Sequence, residues 1–257
     1  MDTALITGAS SGIGAALARC FAADGSDVIV LARSEDALNE QATELSRTHG
    51  VQAEVLVADL ARPDATAHIV DTLDARGLSP DVLVNNAGFG LRGPFATLDA
   101  EQQADMVQVN VTALTTLTRA LLPAMQARGT GGVLNVASTA AFQPGPYMAV
   151  YYATKAYVLS FSAGLAEEVA ADGLTVSCLC PGPTDTSFID KAKMQETALF
   201  QHASVMTPEA VAAAGYRGFR RGQRIVVPGA ANKAGAVLAQ LTPRRLSAKV
   251  AGWLQRD

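Results

Sequence analysis

Seven short apolar runs alternate with stretches of helical character along the chain, and that alternation constrains the fold more than any other feature. The runs lie at 4–7, 28–32, 53–58, 82–85, 133–137, 175–180 and 224–227. Several are continuously apolar, the pattern of strands covered on both faces. Helical stretches fall at 13–23, 35–48, 64–76, 100–128, 151–172 and 208–221, with 100–128 readable as one long helix or two. Strands separated by helices return to the sheet through crossovers and so pair in parallel. The expected fold is α/β: a doubly wound parallel sheet of seven strands with helices on both faces, in a single domain spanning 1–257.

The 257 residues fit one such unit, and a hydrophobic fraction of 49% supplies a large core. Only 5% are aromatic, so Ala, Val, Leu and Gly fill the interior, as suits helices packed close on a sheet. A net charge of −4 argues against a general nucleic-acid or membrane-surface binder, and Arg220-Arg221 and Arg244-Arg245 read as solvated helix ends. Cys20, Cys178 and Cys180 read as buried thiols, and His49, His68 and His202 fall in no ligand pattern, so no metal is expected. No run is long and apolar enough to insert across a membrane, and the first strand starts almost at Met1, which leaves no signal peptide; a cytoplasmic location is expected. Two segments break the rhythm. The stretch 185–207 is placed where a substrate lid would sit, and 230–257 forms a C-terminal helical extension.

TGASSGIG, at 7–14, crowds three glycines where the first strand must become a helix. Gly8 can take the backbone angles of a tight turn, Gly12 presents no side chain to hold a phosphate away, and Gly14 lets the helix pack close. The amides and dipole of that helix start favour an anion, with Ser10 and Ser11 offering hydroxyls. Alone such a turn is weak evidence; directly after strand one of an α/β chain it marks a nucleotide site.

These residues, with NNAG at 85–88, Asn110, Ser138, Tyr151-x-x-x-Lys155 and Pro181-Gly182, resemble the short-chain dehydrogenase/reductase superfamily in order and spacing over nearly the whole chain. The resemblance implies a Rossmann-type fold, a nicotinamide dinucleotide, and reversible hydride transfer involving a carbonyl or secondary alcohol. It implies that Gly8, Ser10, Ser11, Gly12, Ile13 and Gly14 hold phosphates, that Asp59 and Leu60 meet the adenine, and that Asn86, Ala87 and Gly88 line the adenosine side. It also implies that the Asn110 carbonyl holds a proton-relaying water, that Lys155 reaches the nicotinamide ribose, and that Pro181, Gly182, Thr184 and Thr186 form the nicotinamide-side loop. The residues themselves leave Asp59 open as a helix cap and Asn110 as a packing residue.

Strand two ends in Ala32-Arg33, where an acid would select NAD and an Arg accommodates the 2′-phosphate of NADP. NADP(H) is therefore expected over NAD(H), with Ser34 adding a hydroxyl; a plain surface Arg is the alternative. Tyr151 and Lys155, four apart, share a helix face, and the ammonium is expected to lower the phenol's pKa so that it serves as general acid/base. Tyr152 is the rival acid, three residues from Lys155, but Tyr151 keeps the superfamily register with Ser138, the expected hydrogen-bond donor to the substrate oxygen.

A pocket wall is expected from Phe89, Leu91, Phe142, Pro144, Tyr147, Met148, Phe188 and Ile189, nearly all apolar, which favours a small hydrophobic carbonyl or alcohol substrate. The stretch from Val136 to Ser162 resembles a branch holding carbonyl reductases and 3-ketoacyl and hydroxysteroid reductases. The alternative from another class is a cofactor-sensing regulator; the intact Asn110, Ser138, Tyr151 and Lys155 set speaks for an enzyme. A homodimer or homotetramer through the helices at 100–128 and 151–172 is expected, and 243–253 is expected to pack on protein rather than on lipid.

Overall fold

The computed structural model describes residues 2–186 and 205–254. Its seven strands are β1 (Thr3–Thr7), β2 (Asp27–Ala32), β3 (Ala53–Val57), β4 (Val82–Asn85), β5 (Gly132–Val136), β6 (Thr175–Leu179) and β7 (Ile225–Val226). They form one all-parallel sheet in the order β3-β2-β1-β4-β5-β6-β7. The order reverses between β1 and β4, and a crevice opens at their carboxyl ends, where open α/β sheets bind ligands.

Continuity of the apolar runs has a direct cause. In β1, Ala4 and Ile6 enter one core while Leu5 enters the other; in β2, Val28 and Val30 face the first and Ile29 and Leu31 the second. Helices α1 (Gly12–Ala23), α2 (Glu35–His49) and α7 (Pro208–Arg220) cover the first face through Leu17, Phe21, Leu38, Leu45, Val211 and Phe219. On the other face lie α3 (Ala65–Ala75), α5 (Leu114–Arg128) and α6 (Ala149–Glu168), through Ile69, Leu73, Leu117, Met125 and Leu165. β1 and β2 thus need apolar residues at successive positions.

The stretch 100–128 is one continuous helical rod: α4 (Ala100–Val107), a π-helical turn at Gln108–Ala113, then α5. Beyond β7 the chain forms two further helices, α8 (Ala230–Leu241) and α9 (Arg244–Leu254). Of the lid expected at 185–207, residues 187–204, which include Phe188 and Ile189, lie outside the described residues. Its described ends pair as a short parallel bridge, Thr184 with Met206.

Candidate active site

The glycine turn is shaped by close packing on three sides. Gly8 and Gly12 have φ of +65° and +56°, the left-handed region that a side chain disfavours. A Cβ on Gly14 would lie 2.3 Å from the Gly8 carbonyl oxygen and 2.4 Å from Asn86 Nδ2, so the close packing expected of Gly14 is against the turn itself and Asn86. Helix α1 starts with Ser11 extended, with no side-chain cap and no acidic residue in its first turn. Its first amides therefore keep their donors for an anion, and these residues fit a dinucleotide pyrophosphate.

Asn86 and Thr7 fix that turn to the end of β4. Asn86 Nδ2 donates to the Thr7 and Gly8 carbonyls at 2.9 and 3.2 Å, and the Asn86 and Ala87 amides both donate to Thr7 Oγ1 at 3.0 Å. The Asn86 side chain clamps the turn, and no sequence signal pointed to Thr7 as its partner. Arg33, 72% exposed at its side chain, follows β2 and faces Asp59, 3.9 Å away. Asp59 Oδ1 accepts from the Ala61 amide, ahead of α3 and outside its cap, while Leu60 is buried.

Tyr151 and Lys155 are both buried on α6. Tyr151 hydrogen bonds Ser138. Ser138 Oγ in turn accepts from the Ala140 amide at 3.1 Å and donates to the Pro181 carbonyl at 3.4 Å, so it stands between β5 and the loop after β6. Lys155 Nζ donates to the Val136 carbonyl at 2.9 Å and lies 5.8 Å from the centre of the Tyr151 ring. Burial lowers the Lys155 pKa to about 8, opposed by the Cys178 and Cys180 thiols beneath it. Burial also raises the Tyr151 phenol above its ordinary value, with the Ser138 hydrogen bond acting the other way. Burial is thus the larger influence on the phenol here, and the Lys155 ammonium is hydrogen bonded to the Val136 carbonyl.

Tyr152, the rival acid, has its ring against Gly145, where a Cβ would come within 2.3 Å of it. Asn110 lies in the π turn, and its side chain is fully used. Oδ1 accepts from the Phe89 amide, and Nδ2 donates to the Phe89 carbonyl at 2.9 Å and to Thr154 Oγ1 at 3.1 Å. Thr154, which sequence reasoning missed, passes this on to the Tyr151 carbonyl at 2.7 Å. Gly88 fills the remaining space, since a Cβ there would be 2.9 Å from Asn110 Oδ1 and 3.3 Å from Lys155 Nζ.

Of the expected pocket wall, Phe89, Leu91 and Met148 pack in one cluster with Tyr151. Tyr147 takes a φ of +66°, a strained conformation for a non-glycine residue, and its carbonyl accepts from the Gly93 amide. Phe142 packs with the cluster of Ala137 and Cys180, and Pro144 is exposed. After β6, Thr184 Oγ1 donates to the Gly182 carbonyl, and the Thr186 methyl lies 3.1 Å from where a Gly12 Cβ would be. The loop after β6 thus abuts the glycine turn. Asn232 of α8 packs so tightly on Gly182 that a Cβ there would lie 2.3 Å from its Oδ1, a contact no local sequence signal indicated.

A parallel sheet with a glycine turn at its order reversal, and a Ser-Tyr-Lys group beside it, defines the class of nicotinamide-dependent oxidoreductases. The family model described as "short chain dehydrogenase" matches residues 2–197, and the chain belongs to that family. A protein of Streptomyces coelicolor, provisionally named a ketoacyl reductase, is 39% identical over 188 residues, 72% of this chain and 71% of its own. The structure of a short-chain dehydrogenase from Sphingobium yanoikuyae in complex with NADPH is 36% identical with a TM-score of 0.82, covering 92% of each chain. A bulky-bulky ketone specific alcohol dehydrogenase from Comamonas testosteroni is 31% identical with a TM-score of 0.78, covering 94% of this chain and 92% of that one.

Proposed function

We propose that the protein is an NADP(H)-dependent carbonyl reductase acting on a hydrophobic ketone or aldehyde, with Tyr151 as the general acid. The observation that carries this reading is the buried Tyr151, hydrogen bonded to Ser138 and one helical turn from Lys155, at the carboxyl edge of β5 beside the phosphate turn. Bound NADPH supplies a hydride, with its electron pair, to the carbonyl carbon.

The chain's own residues do the rest. Ser138 holds the substrate oxygen and the phenol together. Tyr151 gives its proton to the oxygen as negative charge develops there, and a pKa held above the ordinary value keeps that proton in place at neutral pH. Lys155 orients the ribose and repays the proton through the Asn110 turn. Arg33 pairs with the 2′-phosphate, supported by its exposure and by the NADPH complex of the Sphingobium relative. The apolar Phe89, Leu91 and Met148 favour an apolar substrate, in keeping with the bulky-ketone enzyme. A screen of ketones and aldehydes, followed by loss of NADPH absorbance, tests the reading: turnover that disappears in Ser138→Ala supports it. Tight NADPH binding with no turnover on any carbonyl would instead favour a sensor.

A further inference from the structure

The two C-terminal helices bury small residues and expose large ones. Along α9 the residues turned toward the body are small: Ser247 is 4% exposed, Ala251 1%, and a Cβ on Gly252 would meet Pro146 at 3.2 Å. Its large apolar residues face solvent, with Leu246 and Val250 about half exposed and Trp253 62% exposed. Their spacing of four and three makes one ridge along the helix. In α8, likewise, Ala236 is buried while Val237, Leu238 and Leu241 are exposed, the last to 78%. Helices that bury alanine and expose leucine present a face for another phase or partner.

Charge indicates which. After Glu209 no Asp or Glu occurs before Asp257, and nine of the chain's 20 Lys and Arg fall in that interval. The rest of the chain therefore holds eleven cations against 24 acids, a division that the net charge of −4 conceals. Lys233, Arg244, Arg245 and Lys249 belong to these two helices, and among the described residues no carboxylate pairs with them. A second copy docked on this face by a two-fold would set these cations against themselves. A nucleic acid would use the cations and leave the apolar ridge in water. An anionic bilayer uses both, and Trp is favoured at its interface.

We propose that α8 and α9 dock the protein on an anionic phospholipid surface, with Leu238, Leu241, Leu246, Val250 and Trp253 seated below the headgroups and the cations of these helices among the phosphates. This is interfacial binding; no helix of the described residues is long and apolar enough to cross a membrane. Docking on lipid differs from the sequence expectation for 243–253, which is packing on protein. The docked helices touch the site, because Asn232 packs on Gly182, Gly252 on Pro146, and α8 on the turn after Ser138. An apolar substrate dissolved in the bilayer would be delivered beside the Tyr147-Met148 wall.

Trp253 is the only tryptophan in the chain, so its emission reports on this face alone. The full chain is titrated with phosphatidylglycerol/phosphatidylcholine vesicles and with pure phosphatidylcholine vesicles. The proposal expects a blue shift with the anionic vesicles, quenching by brominated acyl chains, and weakening with salt. The triple variant R244E/R245E/K249E should bind at least about 100-fold more weakly, at roughly fivefold per cation, with a thermal melt like that of the parent. Unchanged emission at saturating anionic lipid would overturn the proposal, as would equal binding to both vesicle types or tighter binding to duplex DNA. So would emission already blue-shifted in a protein that sediments as a dimer, since a second copy would then cover the ridge. None of these readouts depends on turnover, so failure here leaves the proposed reductase chemistry standing.

Discussion

At Tyr151 burial and hydrogen bonding pull in opposite directions, and burial prevails. The direction has a kinetic consequence. Reduction needs the phenol protonated, which a raised pKa secures across neutral pH; oxidation of the alcohol needs the phenolate, whose fraction grows about tenfold per pH unit below that pKa. Rates measured from pH 6 to 9.5 should therefore hold steady for reduction until Lys155 titrates and climb for oxidation. An oxidation rate flat over this range would argue against Tyr151 as the base. Lys155 is shifted the opposite way, to about 8. Between that value and its ordinary 10.5 the unfolded chain binds more protons than the folded one, so this group's contribution makes folding more favourable as pH rises. Lys155→Met should lose that gain, seen as a smaller rise, or a steeper fall, in melting temperature than the parent shows between pH 8 and 9.5. At Arg33 the issue is selectivity: Arg33→Ala should reduce the preference for NADPH over NADH by about 10- to 100-fold in kcat/KM, the scale of a charge-assisted hydrogen bond.

Among the elements, the turn from β1 to α1 depends on a clamp supplied by β4. Thr7→Val removes the acceptor of two backbone amides, so urea unfolding should show a loss of about 1–3 kcal/mol, while Thr7→Ser should restore most of it. The strands were legible in the sequence because both sheet faces are covered, which forces apolar residues at successive positions, 4–6 in β1 and 28–32 in β2. The π turn in the long helix was not. Val109, Val111 and Thr112 are poor helix formers, but what fixes the turn is Asn110 holding Phe89 from 21 residues away. Asn86 shows the same limit from the other side, since nothing in NNAG reveals that its amide spends its donors on the Thr7 and Gly8 carbonyls.

Across the whole molecule, the sheet order brings the ends of β1, β2, β4, β5 and β6 to one edge, so residues as distant as Gly8, Gly88, Tyr151 and Thr186 surround one crevice. Glycines and the Tyr-Lys spacing announced that crevice because their chemistry is local. The balance of burial over hydrogen bonding at Tyr151, the Asn232 contact on Gly182 and the outward apolar residues of α8 and α9 arise only from tertiary packing. Centrally, this edge is held to bring a hydride and a Tyr151 proton to one carbonyl. NADPH deuterated at the transferring position of C4, incubated with a reactive ketone, tests this most directly by mass spectrometry of the alcohol. One deuterium is predicted in the product made by the parent protein, and no product from Tyr151→Phe although that variant still binds NADPH. Unlabelled alcohol, or a Tyr151→Phe variant that turns over at the parent rate, would contradict it.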